Sequence, residues 1–143
     1  IPANFMRADR TIKIEAYGKL STTATPTMIF ALRWGGVAGT LLANTEAITM
    51  GSGVSNVNWY LSATIQCRSA GSSGTALCMG TVSIHTAAGT VLSNVFGVSG
   101  YDAPAVATID TTTDKALSLT AKWSASSASN TLTGMIYDIE ASN

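Results

Sequence analysis

Apolar and polar residues alternate along most of the chain with the two-residue period of β-strands. The clearest run is Asn58–Arg68, in which every second residue from Trp59 to Cys67 is apolar. The same alternation predicts strands at Thr11–Leu20, Thr27–Trp34, Thr40–Ala43, Ala47–Met50, Thr75–His85, Ala105–Asp110, Ala116–Ser124 and Thr131–Glu140. The pattern therefore indicates a chain built almost entirely from strands.

Turn-forming residues fill the gaps between these runs, mainly glycine, serine, asparagine and proline. About eight short strands separated in this way are typical of an antiparallel sandwich or barrel. The best helical candidate, Thr86–Val91, is too short to change that assignment. We predict a single all-β domain over residues 1–143.

The two cysteines flank a predicted hairpin turn at Gly71–Gly74. A turn centred between Ser72 and Ser73 places Cys67 directly opposite Cys78 and keeps the apolar faces of both strands together. Opposed Cβ atoms lie about 4.5–5.5 Å apart, whereas a disulfide needs about 3.8 Å. This register does not exclude a disulfide between the two cysteines. We favour free thiols that pack as small apolar side chains.

Small residues dominate the composition, and charged residues are scarce. Ser, Thr, Ala and Gly number 16, 20, 21 and 13 of the 143 residues. The charged fraction is 11%, against about 25% in average globular proteins. No stretch approaches the ~20 consecutive apolar residues of a membrane-spanning helix, so we predict no membrane partner. A neutral, charge-poor surface suits a protein that packs against other proteins.

The formal net charge of zero conceals a difference between the two ends of the chain. Residues 1–33 carry five cations and two acids, whereas residues 101–143 carry two cations and five acids. One interpretation is that the ends form neighbouring strands whose charges neutralise one another. The other is complementary docking between copies or onto a partner. Five dispersed cations are too few for a phosphate-binding surface, so we predict no nucleic-acid partner.

Candidate catalytic residues are few. The only histidine, His85, falls on the polar side of its predicted strand, as expected of a surface residue rather than a general base. Asp138 and Glu140 share a strand face, where solvation or neutralisation by a neighbouring cation is the simpler interpretation than paired-carboxylate catalysis. We therefore predict that the protein is not an enzyme and takes no small-molecule substrate.

The remaining acids predict a turn rather than a metal site. Asp110 and Asp114 bracket three threonines, a pattern in which Asp binds its own backbone two residues on. A calcium site using these two residues and Asp102 is the minor alternative. The chain has no Cys and His spacing for a metal and no phosphate-binding glycine loop, so we predict no cofactor.

Aromatic residues are candidates for a carbohydrate-binding face. Trp34, Trp59 and Trp123 are in phase with the apolar residues of their strands, which predicts that they belong to the core. The better surface candidates are Tyr60, Tyr101 and Tyr137.

Several stretches together carry a resemblance to a known group of proteins. They are Ile1–Phe5 leading into Thr11–Gly18, Thr25–Gly36 followed by Asn58–Ala63, and Thr108–Thr112 before Leu117–Ser124. This pattern resembles small β-sandwich virion proteins of tailed bacteriophages that decorate or cement the head. The resemblance implies an antiparallel, jelly-roll-like β-sandwich, commonly trimeric, that binds the outside of the capsid where major capsid subunits meet.

The function that this resemblance implies is structural. We expect a decoration protein on the capsid exterior, assembled in the host cytoplasm, whose partners are the major capsid protein and further copies of itself in a homotrimer. We hypothesise that Arg7, Arg10 and Lys13 dock against an acidic capsid surface or a neighbouring copy, with residues 1–10 as a candidate docking arm. The alternatives are a tail or fibre module that binds a receptor or glycan, and an accessory domain of an enzyme.

Overall fold

The structure, a computed structural model, describes residues 1–87, 90–97 and 106–142. Within these residues the chain forms ten strands and no helix. The strands are β1 (Thr11–Ser21), β2 (Thr27–Trp34), β3 (Thr40–Asn44), β4 (Ile48–Thr49), β5 (Val57–Ser69), β6 (Gly74–Ala87), β7 (Thr90–Phe96), β8 (Val106–Ile109), β9 (Leu117–Trp123) and β10 (Thr131–Ser142). The prediction of an all-β chain is confirmed.

Two antiparallel sheets pack face to face. The larger sheet has the strand order β10-β1-β5-β6-β7, and β8 also pairs with β6. In the smaller sheet, β3 and β4 pair with different stretches along one side of β2, and β9 pairs with the other side of β2. The predicted antiparallel β-sandwich is therefore confirmed, whereas its jelly-roll topology stays a prediction.

The core lies between the sheets and uses the residues that the alternation points inward. Every second residue of β1 from Ile12 to Leu20 is buried, as is every second residue of β5 from Trp59 to Cys67. The smaller sheet contributes Phe30, whose ring centroid lies 5.3 Å from that of Trp59. Truncating a fully buried side chain of this size costs about 3–5 kcal/mol, so these contacts hold the two sheets together.

The segment Thr86–Val91 was the best helical candidate in the sequence, but its described residues belong to strands. Strand β6 continues to Ala87, and β7 begins at Thr90. The sequence pattern did not predict β7 because most of its residues are exposed on both faces of an edge strand. Without one buried face, a strand loses the alternation by which it is identified.

The hairpin between β5 and β6 has a different register from the predicted one. Cys67 lies opposite Ala76, and Cys78 lies opposite Ile65, so the pairing is shifted by two residues. A bulge interrupts the ladder between Cys67 and Ser69, which moves the turn away from the predicted centre. Because the shift is even, both cysteines remain on the core face. Both are free and buried, as expected.

The basic and acidic ends of the chain are neighbours in the larger sheet. Strand β1 pairs with β10 along its whole length, and the ladder places Lys13 opposite Glu140 and Glu15 opposite Asp138. The interpretation of the two ends as neighbouring strands is confirmed. Neutralisation is only partial, because one of these two pairs joins two carboxylates.

Candidate functional site

The N-terminal segment, residues 1–10, lies against the end of the sandwich. The Ile1 ammonium donates to the Lys115 carbonyl at 2.7 Å, and the Asn4 amide donates to the Thr111 carbonyl at 2.7 Å. Further along, Met6 is buried in the core, and the Cys67 amide donates to the Arg10 carbonyl at 2.9 Å. The candidate docking arm is therefore anchored to the domain at both ends, and its part in docking stays a prediction.

The three hypothesised docking residues have different surroundings. Arg7 is exposed. The Arg10 guanidinium donates to the Phe5 carbonyl at 2.6 Å and lies over the Phe5 ring, so it supports the N-terminal segment. Lys13 lies on the outer face of β1, where its ammonium pairs with Glu15 at 2.7 Å. The structure brings Arg7 and Arg10 together on one loop and leaves Lys13 on the sheet.

Arg68 is a further cation at this end of the sandwich. The Asp9 amide donates to the Cys67 carbonyl at 2.8 Å, which holds the loop containing Arg7 and Arg10 beside the end of β5. Arg68 is the residue after Cys67 in β5, and its side chain is exposed. Sequence reasoning missed it because only the tertiary hydrogen bonds bring these distant segments together.

A hydrogen-bonded cluster occupies the outer face of the larger sheet. The Glu15 carboxylate accepts hydrogen bonds from Tyr17 at 3.1 Å and from Tyr60 at 3.3 Å, in addition to its ion pair with Lys13. The two tyrosine rings lie 4.7 Å apart. The hydrogen bond between Lys13 and Glu15 raises the pKa of Lys13 and lowers that of Glu15. The pKa of Tyr17 is raised mainly by partial desolvation and secondly by its hydrogen bond to Glu15.

The tryptophans and tyrosines divide between core and surface. Trp34 and Trp59 are buried, as expected, and each indole donates to a backbone carbonyl. Trp123 is half-buried at the edge of the smaller sheet. Tyr137 is exposed on β10, and Tyr60 belongs to the cluster around Glu15. The third surface candidate, Tyr101, lies outside the described residues.

Asp110 closes the predicted turn. Its carboxylate accepts hydrogen bonds from the Thr112 amide at 2.9 Å, the Thr112 hydroxyl at 2.6 Å and the Thr113 hydroxyl at 2.9 Å. Lys115 adds an ion pair at 3.3 Å. These hydrogen bonds, chiefly those from Thr112, hold the pKa of Asp110 well below its ordinary value. Asp114 instead accepts from the Ala3 amide at 2.8 Å, so both acids stabilise the chain around the turn.

The remaining candidates for chemistry are dispersed. His85 is exposed on β6, opposite Val91, on the face away from the core. Among the residues that the structure describes, no group of three or more His, Cys, Asp or Glu is arranged to hold a metal ion. Asp102, the third member of the calcium alternative, falls outside those residues.

The two long sides of the sandwich differ. On one side an antiparallel bridge joins Asn44, at the end of β3, to Gly97 after β7, with the Asn44 amide donating to the Gly97 carbonyl at 2.7 Å. On the other side lie β9 and β10, and in the described ranges no ladder joins them. We call this second side, formed by the free edges of β9 and β10, the open side.

An apolar groove of about 410 Å³ runs along the open side. Its lining comes from both sheets and includes Trp59, Leu117, Leu119 and Met135. Two of the lining residues, Met135 at the bulge of β10 and the neighbouring Ile136, are 68% and 60% exposed although both are large and apolar. Exposed apolar surface of this kind marks an interaction site more often than a free surface.

A second apolar surface lies on the outer face of the larger sheet, near its other edge. We call it the β6–β8 patch, and it consists of Met79, Val91, Val95 and Val106. These side chains are between 45% and 55% exposed. Their ladder partners place them on the face away from the core, so they are available to a neighbouring molecule.

No protein-family model, no curated protein and no solved structure matches the chain. Within the described part of the chain, no helix has the length and apolar character that crossing a membrane requires. The features available for a functional assignment are therefore the two apolar surfaces, the cations and the outer-face cluster.

Proposed function

We propose that this protein is a structural virion protein that binds the outer surface of a phage capsid and stabilises it. The virion setting comes from the resemblance to decoration proteins. Binding through protein–protein contacts is supported by two separate apolar surfaces, the open side and the β6–β8 patch. A subunit in a closed array needs at least two interfaces, one for the particle and one for its neighbours.

The outer face of the larger sheet is the surface that we assign to the capsid. It carries the β6–β8 patch, and the ladders place Lys13, Thr64 and Met79 in one row across β1, β5 and β6. Apolar contacts supply affinity, while the charged rim around Lys13, Glu15 and Glu140 favours a partner surface of complementary charge. This row connects the hypothesised docking residue Lys13 with the apolar patch.

The polar part of that face is also suited to burial. Between the charged and apolar ends lie hydroxyl-bearing residues such as Ser62, Thr64, Thr81 and Ser83. Hydroxyl groups cost less to desolvate than charges and find hydrogen-bond partners readily. Repetition of one weak contact over many symmetric positions then yields firm attachment through avidity.

The deciding experiment measures the copy number of this chain against the major capsid protein in purified particles. We expect hundreds of copies, and a few tens or fewer would contradict the proposal. Purified protein added to particles that lack it is expected to bind saturably and raise the temperature at which they release DNA. Val95→Ser in the β6–β8 patch is expected to weaken this binding about three- to tenfold. Val37→Ser, at an exposed valine on a turn of the smaller sheet, is the matched control.

The alternative function is a tail or fibre module that binds a glycan or receptor. The observation that favours it is the pair formed by the exposed Tyr17 and the half-buried Tyr60, since aromatic rings stack on sugar faces and the Glu15 carboxylate lies beside them. It predicts saturable binding of soluble oligosaccharides by calorimetry, lost in Tyr60→Ala and retained in Val95→Ser. A low copy number with sugar binding would favour this alternative over the capsid role.

A further inference from the structure

The open side leaves two strand edges without a partner in the described chain. In the described ranges, strand β10 has 12 residues and its only ladder partner is β1, while β9 has 7 residues and its only ladder partner is β2. Long free edges are usually shortened, covered, or protected by charged residues, proline or bulges. A bulge lies at Met135, but the ladder from Ile136 to Ser142 is regular, and its charged residues are both acidic, so this edge still admits a strand that carries cations.

The two edges present similar apolar faces. On β10, Tyr137 and Ile139 lie opposite Ala16 and Ile14, which places them on the core side, yet they are 46% and 42% exposed. The smaller sheet ends before it covers them. On β9, the core-side residues Leu117, Leu119 and Trp123 are only half-buried. An added strand would extend either sheet and cover these side chains.

The charges on the two edges are opposite in sign. The outer side of β10 carries Asp138 and Glu140, whereas the outer side of the smaller sheet carries Lys122 on β9 and Arg33 on the neighbouring β2. Lys122 makes no ion pair with any other described residue. Two β10 strands paired with each other would bring acidic edges together, so β9 is the complementary partner for β10.

We propose that the chain assembles head to tail, with β10 of one copy pairing antiparallel with β9 of a second copy. A register that places Asp138 opposite Lys122 also places Tyr137 opposite Trp123 and Ile139 opposite Ala121. This register keeps the core sides of both strands on the same face, as the two-residue period requires. It joins the larger sheet of one copy to the smaller sheet of the next and covers Tyr137 and Ile139 of β10 together with Trp123 of β9.

This pairing joins two different surfaces, so it forms a ring if the rotation between copies closes and a filament if it does not. The inference concerns contacts between copies and does not depend on a capsid role. Its failure would remove the open side as the contact between neighbours but would leave the capsid contact, because that contact was assigned to the outer face of the larger sheet.

Charge reversal at the two edges tests the proposal. We expect wild-type protein to show a concentration-dependent mass above that of one chain in sedimentation experiments. Lys122→Glu and Asp138→Lys are each expected to weaken association about tenfold or more, because like charges then face each other. An equal mixture of the two variants is expected to associate again, since each edge of one variant then complements an edge of the other.

Folding controls and contrary outcomes complete the test. Both substitutions lie on exposed positions of outer faces, and thermal melts are expected to match the wild type. Lys19→Glu, at an exposed cation on β1, is the matched control and is expected to associate like the wild type. A wild type that remains a single chain at millimolar concentration would overturn the proposal. So would association that changes in Asp138→Lys but not in Lys122→Glu, which indicates pairing of β10 with itself.

Discussion

Cys67 and Cys78 lie on the same buried face of neighbouring strands, but on a diagonal rather than opposite each other. Cys67 is paired with Ala76, and Cys78 is paired with Ile65. Diagonal neighbours in a sheet lie about 7–8 Å apart, with their Cβ atoms somewhat closer, which is still well beyond the ~3.8 Å between Cβ atoms in a disulfide. The strands would have to slip by two residues to form the bond, and that slip would disrupt the ladder on both sides.

Both thiols are therefore expected to be unreactive in the folded protein. Burial raises the pKa of Cys78 to about 12, and it also raises the pKa of Cys67. Because the thiolate is the reactive form, labelling with an aromatic disulfide reagent at neutral pH is expected to be slow. Denaturant is expected to release two fast-reacting thiols per chain. Mild oxidation that produced an intramolecular disulfide in native protein would contradict the diagonal register.

Gly18 and Gly134 lie opposite each other in the β1–β10 ladder but tolerate side chains differently. A Cβ at Gly18 would overlap the Thr133 carbonyl and come within 2.7 Å of the Trp59 indole nitrogen, whereas a Cβ at Gly134 meets nothing within 4 Å. We expect Gly18→Ala to lower the free energy of unfolding by about 1–3 kcal/mol. Gly134→Ala is expected to change it little. Denaturant titrations of both variants provide the comparison, and equal losses would contradict the close packing at Gly18.

The Asp110 turn predicts a pH-dependent contribution to stability. Its carboxylate has a folded-state pKa below the unfolded value, so the contribution is present above pH ~4 and is lost as the pH falls toward the folded-state pKa. We expect Asp110→Asn to melt at a lower temperature than wild type at pH 7. The difference is expected to shrink progressively below pH 4. A constant difference between pH 7 and pH 2 would show that the charge of Asp110 has no part in the effect.

The cations at the N-terminal end predict salt-sensitive docking. If Arg7, Arg10 and Lys13 contact an acidic surface, their replacement by serine lowers capsid occupancy and weakens its dependence on salt. Because Arg10 also packs on Phe5, Arg7→Ser alone separates docking from folding. Arg33→Ser removes one cation from the outer face of the smaller sheet, away from the surface assigned to the capsid, as a control. Unchanged occupancy and salt sensitivity in the triple variant would exclude these residues from the contact.

A parallel test addresses Arg68, the cation that the tertiary structure adds. We expect Arg68→Ser to reduce occupancy to a similar extent as Arg7→Ser, because both are exposed where the Arg7 loop meets the end of β5. The double variant is expected to show a larger reduction. If Arg68→Ser has no effect while Arg7→Ser does, the contact is limited to the N-terminal loop.

The sequence predicted the strands where one face is buried. The alternation in Asn58–Arg68 and Thr27–Trp34 reflects side chains that point inward and outward in turn, and both strands lie where that pattern placed them. The Asp110 turn was also predictable, since a short acidic side chain binds nearby backbone and hydroxyl groups without help from the rest of the fold. Strand β7 was not, because an edge strand with two exposed faces has no alternation.

The sequence by itself determined the all-β class, the inward-facing residues and the unequal charges of the two chain ends. These follow from local periodicity and composition. Only the tertiary structure decided the diagonal placement of Cys67 and Cys78, the proximity of Arg68 to the Arg7 loop and the open side between β9 and β10. Each depends on which strands become neighbours and on a one-residue bulge. A two-residue period fixes the face of a side chain but leaves its partner undetermined.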